Sequence, residues 1–286
     1  MALSACAARA KQKISYVKGA IVAPRKSKKP TWVVEKERQR SGVAPETLWL
    51  FGIHAVRDAL MNPKRDKRRL VLTKNAADRL SEAVAAAGIT PEIQDTRNFN
   101  VPLDPQSVHQ GAALEVAPLN WGSLSELCAP RGADPVVLLL DRVTDPHNVG
   151  AILRSAEVFG ARAVIAPQRN SAPETGALAK TASGALERQP YLRIQNLATG
   201  MRSLREMGYF IIGLDGTGEY NINEELAKSA HMPIALALGA EGPGLRKLTM
   251  DTCDIIAKIR FAGDFGSLNV SNAAAVALYA AAQTRG

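Results

Sequence analysis

Five uniformly apolar runs recur through the second half of the chain: PVVLLLD (Pro135 to Asp141), ARAVIAP (Ala161 to Pro167), YFIIGLD (Tyr209 to Asp215), PIALALG (Pro233 to Gly239) and DIIAKI (Asp254 to Ile259). Strands this apolar are buried on both faces, so they predict a mostly parallel sheet covered by helices. Between them the period changes to that of a helix over Val149 to Phe159, Leu197 to Met207, Leu245 to Met250 and an Ala-rich segment from Val270 to Gln283. This alternation predicts a doubly wound α/β layer, in which ligands sit at the carboxyl ends of the strands.

The first half reads as a smaller α/β unit. Thr47 to Gly52 predicts a strand, and His54 to Met61 places Ala55, Val56, Ala59 and Leu60 on one helical face. Arg69 to Lys74 predicts a second strand, followed by an Ala-rich helix that Gly88 ends as a cap. Glu92 to Thr96 and Ala112 to Pro118 are further extended pieces. Leu119 to Pro135 carries Gly122, Pro130, Gly132 and Pro135 with few periodic apolar positions, as a linker does. The division expected is therefore a tail (1–46), a small unit (47–118), a linker (119–134) and a larger domain (135–286).

Charge adds to this picture at one end. Residues 1–47 hold eleven Lys or Arg against three acids, an excess of eight in a chain whose net charge is +9. The tail has neither helical nor strand period and is expected to be disordered when free, because it cannot bury enough apolar surface to offset its chain entropy. Three readings fit it: an arm that neutralises nucleic-acid phosphates, a solvated solubility tail, or an organelle transit peptide. The basic stretch Lys64 to Arg69 is open to the first two readings as well. No apolar run approaches the roughly 20 residues needed to cross a bilayer. Cys6, Cys128 and Cys253 are odd in number and far apart, without metal or disulfide spacing, and read as reduced thiols.

Three clusters lie directly after apolar strands, where a site is expected. In DRVTDPHNVGAILRSAEVFGA (Asp141 to Ala161), Asp145-Pro146 makes a turn, Asn148 is placed to cap the following helix, and Arg154 lies two turns in. In LGAEGPGLRKL (Leu238 to Leu248), three glycines surround Glu241. Neither a Gly-Lys-Ser/Thr nor a GxGxxG pattern is present, which argues against a P-loop and a dinucleotide fold. In IRFAGDFGSLNVSNAAAVALYAA (Ile259 to Ala281), Ser267, Asn269, Ser271 and Asn272 crowd the head of an Ala-rich helix, more polar groups than capping requires.

Asn148-x-Gly150 with Arg154, Gly239-x-Glu241-Gly242-x-Gly244, and Ser267-Leu268-Asn269-Val270-Ser271 together resemble the three motifs of the SpoU (TrmH-like) family of RNA ribose 2′-O-methyltransferases. FGIHAVRDAL (Phe51 to Leu60) and VHQGAALEV (Val108 to Val116) are similar to the substrate-binding domain of the subgroup that methylates a guanosine in 23S ribosomal RNA. The resemblance implies a trefoil-knotted (SPOUT-type) α/β domain, a homodimer, S-adenosylmethionine as methyl donor, RNA as substrate, and a cytoplasmic setting with no membrane or metal. It implies that Gly239, Ile259 and Leu268 receive the donor through their backbones, with Leu214, Asp215 and Gly216 flanking it. Arg154 is implied as the base; as a guanidinium it at least orients phosphate and stabilises a developing alkoxide. Glu241 is expected to hold Arg154 and Asn148, while Asn269 and Ser267 orient the ribose or the donor's carboxylate. His147 reads as turn filler, and His54 and His109 as structural or RNA-facing. Three other readings compete: a tRNA guanosine 2′-O-methyltransferase, a non-catalytic RNA-binding or ribosome-assembly protein, and a nucleotide-binding oxidoreductase, which lacks its glycine fingerprint.

Overall fold

The computed structural model describes residues 47–104, 106–131, 134–263 and 267–285, so the basic tail and its alternative readings lie outside the described residues. The small unit is built on a four-stranded sheet ordered β1 (Leu48–Phe51), β4 (Ala112–Val116), β2 (Lys67–Leu72), β3 (Glu92–Ile93). Helix α1 (Ile53–Met61) buries Ile53, Ala55, Val56, Ala59 and Leu60, the face its period marks out. The expected single Ala-rich helix is two, α2 (Lys74–Arg79) and α3 (Ser81–Ala87), broken at Leu80; Gly88 closes α3 in the left-handed conformation. The linker is not featureless. Helix α4 (Leu124–Cys128) opens with a capping box in which Ser123 and Glu126 satisfy each other's backbone.

The larger unit is a seven-stranded, wholly parallel sheet, with every paired neighbour in parallel register. Its strands are β5 (Val136–Asp141), β6 (Ala163–Pro167), β7 (Tyr191–Ile194), β8 (Phe210–Leu214), β9 (Tyr220–Asn221), β10 (Ile234–Gly239) and β11 (Ile255–Lys258), in the spatial order β7-β6-β5-β10-β8-β11-β9. Val137, Leu138, Leu139 and Leu140 of β5 and Ala235, Leu236 and Ala237 of β10 are fully buried, as strands covered on both faces must be. The covering helices are α5 (Pro146–Val158), α6 (Gly176–Ala182), α7 (Leu197–Glu206), α8 (Ile222–Lys228), α9 (Lys247–Thr252) and α10 (Val270–Gln283). Short β7 and β9, and helices α6 and α8, are absent from the sequence reading.

Helix α6 wedges the two units together. Gly176 has no room for a side chain: a Cβ there would sit 2.4 Å from the Trp49 carbonyl oxygen on β1. Further along, Lys180 Nζ donates to the Val108 carbonyl (3.1 Å). A buried charge cluster completes the joint: the Arg65 guanidinium pairs with Glu187 (2.6 Å) and Glu174 (2.6 Å) and donates to the Ala117 carbonyl (2.8 Å). Among the described residues, no helix is long and apolar enough to cross a membrane.

Candidate active site

The three motif segments meet at the carboxyl edge of the parallel sheet. β5 and β10 are paired so that Asp141 lies opposite Gly239, which sets the loops after both strands side by side. From the first loop rises α5. Its cap is Asp145, whose side chain accepts from the His147 amide (2.9 Å), with Pro146 in the first turn. The expectation that Asn148 caps this helix is therefore corrected: the Asp-Pro pair starts the helix earlier and leaves the Asn148 side chain free for the site.

Asn269 ties the motifs together. Its Nδ2 donates to Asn148 Oδ1 (3.0 Å) and to the Glu241 carboxylate, while its Oδ1 accepts from Ser271 N (2.9 Å) and caps α10. Since a carboxylate only accepts, this partner sets which end of the amide carries the hydrogens. One side chain thus orders helix α10 with its oxygen and joins the other two motifs with its nitrogen. Ser267 and Leu268, directly before it, are exposed.

Arg154 differs from the expectation. It is exposed on α5, and among the described residues it forms no hydrogen bond or ion pair with Glu241. Glu241 holds Asn148 only through Asn269, so the idea that it clamps Arg154 directly is corrected. Arg154 lies six residues, about 9 Å of helical rise, beyond Asn148.

Of the residues expected to receive or flank a donor, all but Leu268, which precedes α10, stand at the ends of three neighbouring strands. Leu214 ends β8 with Asp215 and Gly216 directly after it, Gly239 ends β10, and Ile259 follows β11. Asp215 accepts from Thr217 through both the backbone amide (3.0 Å) and the hydroxyl (2.7 Å), holding the turn after β8. At Gly239 the glycine loop folds back through an Ala240–Gly244 bridge, and a Cβ would lie 2.0 Å from the Gly244 carbonyl carbon. The obstacle is backbone, which cannot rotate away. Gly239→Ala is therefore expected to displace the loop and lower donor affinity by at least tenfold, read by calorimetry with S-adenosylmethionine; unchanged binding would show that the loop can shift without cost.

The sequence reading missed Asp141. Fully buried at the end of β5, it accepts from Arg246 N (2.9 Å), Arg246 Nε (2.7 Å) and Thr249 Oγ1 (2.7 Å). It pins the far end of the glycine loop to the strand beside it. A charged residue closing a wholly apolar strand is the signal that marks it.

The SpoU rRNA Methylase family matches residues 135–279, and the family described as RNA 2′-O ribose methyltransferase substrate binding matches residues 49–122. The chain is 39% identical over 244 residues to the 23S rRNA (guanosine-2′-O-)-methyltransferase RlmB of Vibrio vulnificus, covering 83% of this chain and 97% of that protein. It is 38% identical over 242 residues to the protein of the same name from Pseudomonas putida, covering 82% and 96%. Among solved structures, the SpoU methyltransferase AviRb from Streptomyces viridochromogenes superposes with TM-score 0.70 at 23% identity, over 87% of this chain and 92% of that one. An AdoMet-bound rRNA methyltransferase from Sinorhizobium meliloti superposes with TM-score 0.71 at 22% identity, over 87% and 90%. With its motifs converging at one sheet edge and relatives of this similarity along most of its length, the chain belongs to the SpoU rRNA methylase family.

Proposed function

We propose that this protein transfers a methyl group from S-adenosylmethionine to the ribose 2′-hydroxyl of a guanosine in 23S ribosomal RNA. Residues 135–286 carry the chemistry, 47–118 hold RNA, and 119–134 join the two. The observation that supports this most is the Asn148–Asn269–Glu241 bridge, which gathers three distant motifs at the strand ends where a donor and a sugar have to meet. The names of the curated relatives support the choice of guanosine and of ribosomal RNA.

The residues present suit the donor. Leu214, Ile259 and Leu268 are partly exposed apolar side chains, beside main chain left open at Gly216, where a Cβ would meet nothing within 4 Å. Such a lining offers apolar surface to a base and backbone groups to its polar edges. When bound, S-adenosylmethionine supplies a methyl group already activated on a sulfonium, so the protein's part is positioning and electrostatics. Asn148 and Asn269 orient the ribose, Ser267 stands at the rim, and the Arg154 cation faces the phosphate and the developing charge on oxygen.

A homodimer fits the outer surface. Val158, Val276 and Tyr279 are exposed apolar residues on α5 and α10, and the Phe159 and Tyr279 rings meet edge to face at 6.0 Å. Exposed apolar side chains of this kind on two adjacent helices suit a second copy of the chain. The order β5-β10-β8, with α10 lodged against α5, is compatible with the family's trefoil knot. Ribosomal RNA as substrate suits a cytoplasmic protein.

The test is incubation with labelled methyl donor and separate pools of unmodified ribosomal and transfer RNA, followed by mapping of the labelled ribose. Label on a 23S guanosine is expected; label confined to transfer RNA, or none, overturns the reading. Deleting residues 1–45 is expected to weaken RNA affinity and flatten its dependence on salt, the slope falling by about 0.7–0.9 for each phosphate no longer neutralised, without lowering the rate on saturating RNA. An unchanged salt slope would leave the tail a solubiliser.

A further inference from the structure

The turn from Val108 to Ala112 leads into β4 and is held rigidly. The Ala112 amide donates to the His109 carbonyl (3.0 Å) and the Thr73 amide to the Gly111 carbonyl (2.8 Å), while Gln110 Oε1 accepts from the Ile53 amide at the start of α1 (3.2 Å). Gly111 has a left-handed φ of 74°, and a Cβ there would lie 2.2 Å from Thr73 Oγ1, so glycine is needed to close the turn this tightly. Its amide also donates to His109 Nδ1 (3.1 Å). That bond leaves the neutral imidazole its hydrogen on Nε2, and burial holds the ring's pKa below the usual histidine range, which keeps it uncharged at pH 7.

Onto this fixed imidazole the Phe99 ring stacks face to face, with centroids 4.3 Å apart and planes within 5° of parallel. Both rings are half-buried, so part of the stack meets solvent. A phenylalanine is ordinarily drawn into the core, as Phe51 is in the same unit. Exposed cations stand around the pair: Arg97 two positions before Phe99, Lys74 next to Thr73, and Lys180, whose Nζ donates to the Val108 carbonyl (3.1 Å). The acids closest in sequence, Asp95 and Asp104, accept from the amides of Arg97 (2.9 Å) and Gln106 (2.8 Å). Through Lys180 the turn touches α6 one residue before Thr181, whose hydroxyl lies 3.1 Å from Nδ1 of His147 in the first motif.

We propose that the Phe99–His109 stack is a platform on which one base of the RNA, outside the target nucleotide, lies as a third ring. This rests on the methyl-transfer reading and gives the small unit a specific means of holding RNA. Bases of every identity have a flat π-face, so the platform contributes grip and register rather than sequence choice. An uncharged ring pair already locked in place takes up a base at little cost in ordering, and the cations meet the phosphates on either side. Positive charge around the rings, in a chain of net charge +9, suits a nucleic acid better than an acid-poor protein surface.

The test is binding of the full-length protein to unmodified 23S ribosomal RNA transcribed in vitro, measured over a series of salt concentrations. Phe99→Leu keeps apolar volume and removes the flat ring; His109→Asn keeps an acceptor for the Gly111 amide and removes the aromatic face. Each is expected to weaken RNA binding by roughly 5- to 150-fold at every salt concentration, with the salt slope unchanged, because stacking releases no counterions. Phe99→Trp, which restores a flat ring, is expected to bind as the wild type does. Calorimetry with S-adenosylmethionine is expected to give wild-type donor affinity in all three variants, the sign of an intact fold. Wild-type RNA affinity in Phe99→Leu and His109→Asn, a loss that comes with a flatter salt slope, or an equal loss in Phe99→Trp overturns the platform alone, leaving the stack as packing between two loops. A wild type that neither binds nor methylates ribosomal RNA overturns the reading beneath it as well.

Discussion

Arg154→Ala is expected to lower the single-turnover methylation rate by roughly 10²–10³-fold while leaving S-adenosylmethionine affinity unchanged. The side chain is exposed on α5 and, among the described residues, has no ionic partner, so its full positive charge is available to a substrate. Removing a preorganised charge that meets the reacting oxygen costs transition-state stabilisation, whereas the residues proposed for the donor belong to the ends of β8, β10 and β11 and the start of α10 and are untouched. Arg154→Lys keeps the charge without the planar fork and should fall between the two. A near-normal rate for Arg154→Ala on its true RNA would remove this residue from the chemistry.

Arg65→Ala is expected to destabilise the folded protein by about 3–5 kcal/mol, the usual consequence of removing one partner from a buried ion cluster. The Arg65 side chain is 0% exposed and is the cation serving both Glu174 and Glu187, residues of the larger unit, from a loop of the smaller one. Without it two carboxylates remain enclosed near each other. Burial already pushes the Glu174 carboxyl above its usual range, against the pull of Arg65. A carboxyl whose folded pKa is raised contributes stability below its unfolded pKa and loses it as pH rises. The deficit of the variant should therefore shrink as pH falls from 7 toward 5, read by urea unfolding at each pH. A deficit independent of pH would mean that lost packing, rather than stranded charge, dominates.

How much of this was legible beforehand depends on which force shapes each element. The strands β5, β6, β8, β10 and β11 announce themselves, because burial on both faces demands an unbroken apolar run. Strand β7 does not: Tyr191–Ile194 carries Arg193 at the sheet edge, and its length of four residues gives periodicity little to work on. Helix α6 was hidden for a similar reason, since its small residues Gly176, Ala177, Ala179 and Ala182 are chosen for close approach to β1 and α5 rather than for an amphipathic stripe. In the site, the motif residues were visible, but their wiring was not. The start of α5 at Pro146 moved Asn148 from cap to ligand of Asn269, and Glu241 pairs with Asn269 rather than with Arg154. Spacing along a chain carries no information on which of several acceptors a single amide will choose.

The central strand pairing has a consequence for biosynthesis. β5 lies against β10, whose first residue Ile234 pairs with Val136 nearly a hundred positions earlier. While the ribosome is still making the intervening segment, one flank of β5 presents unpaired amides and carbonyls next to a row of leucines. Such an open edge invites wrong partners. The nascent chain consequently spends its most adhesive interval before any donor pocket exists, and both hazards end with the arrival of the same strand.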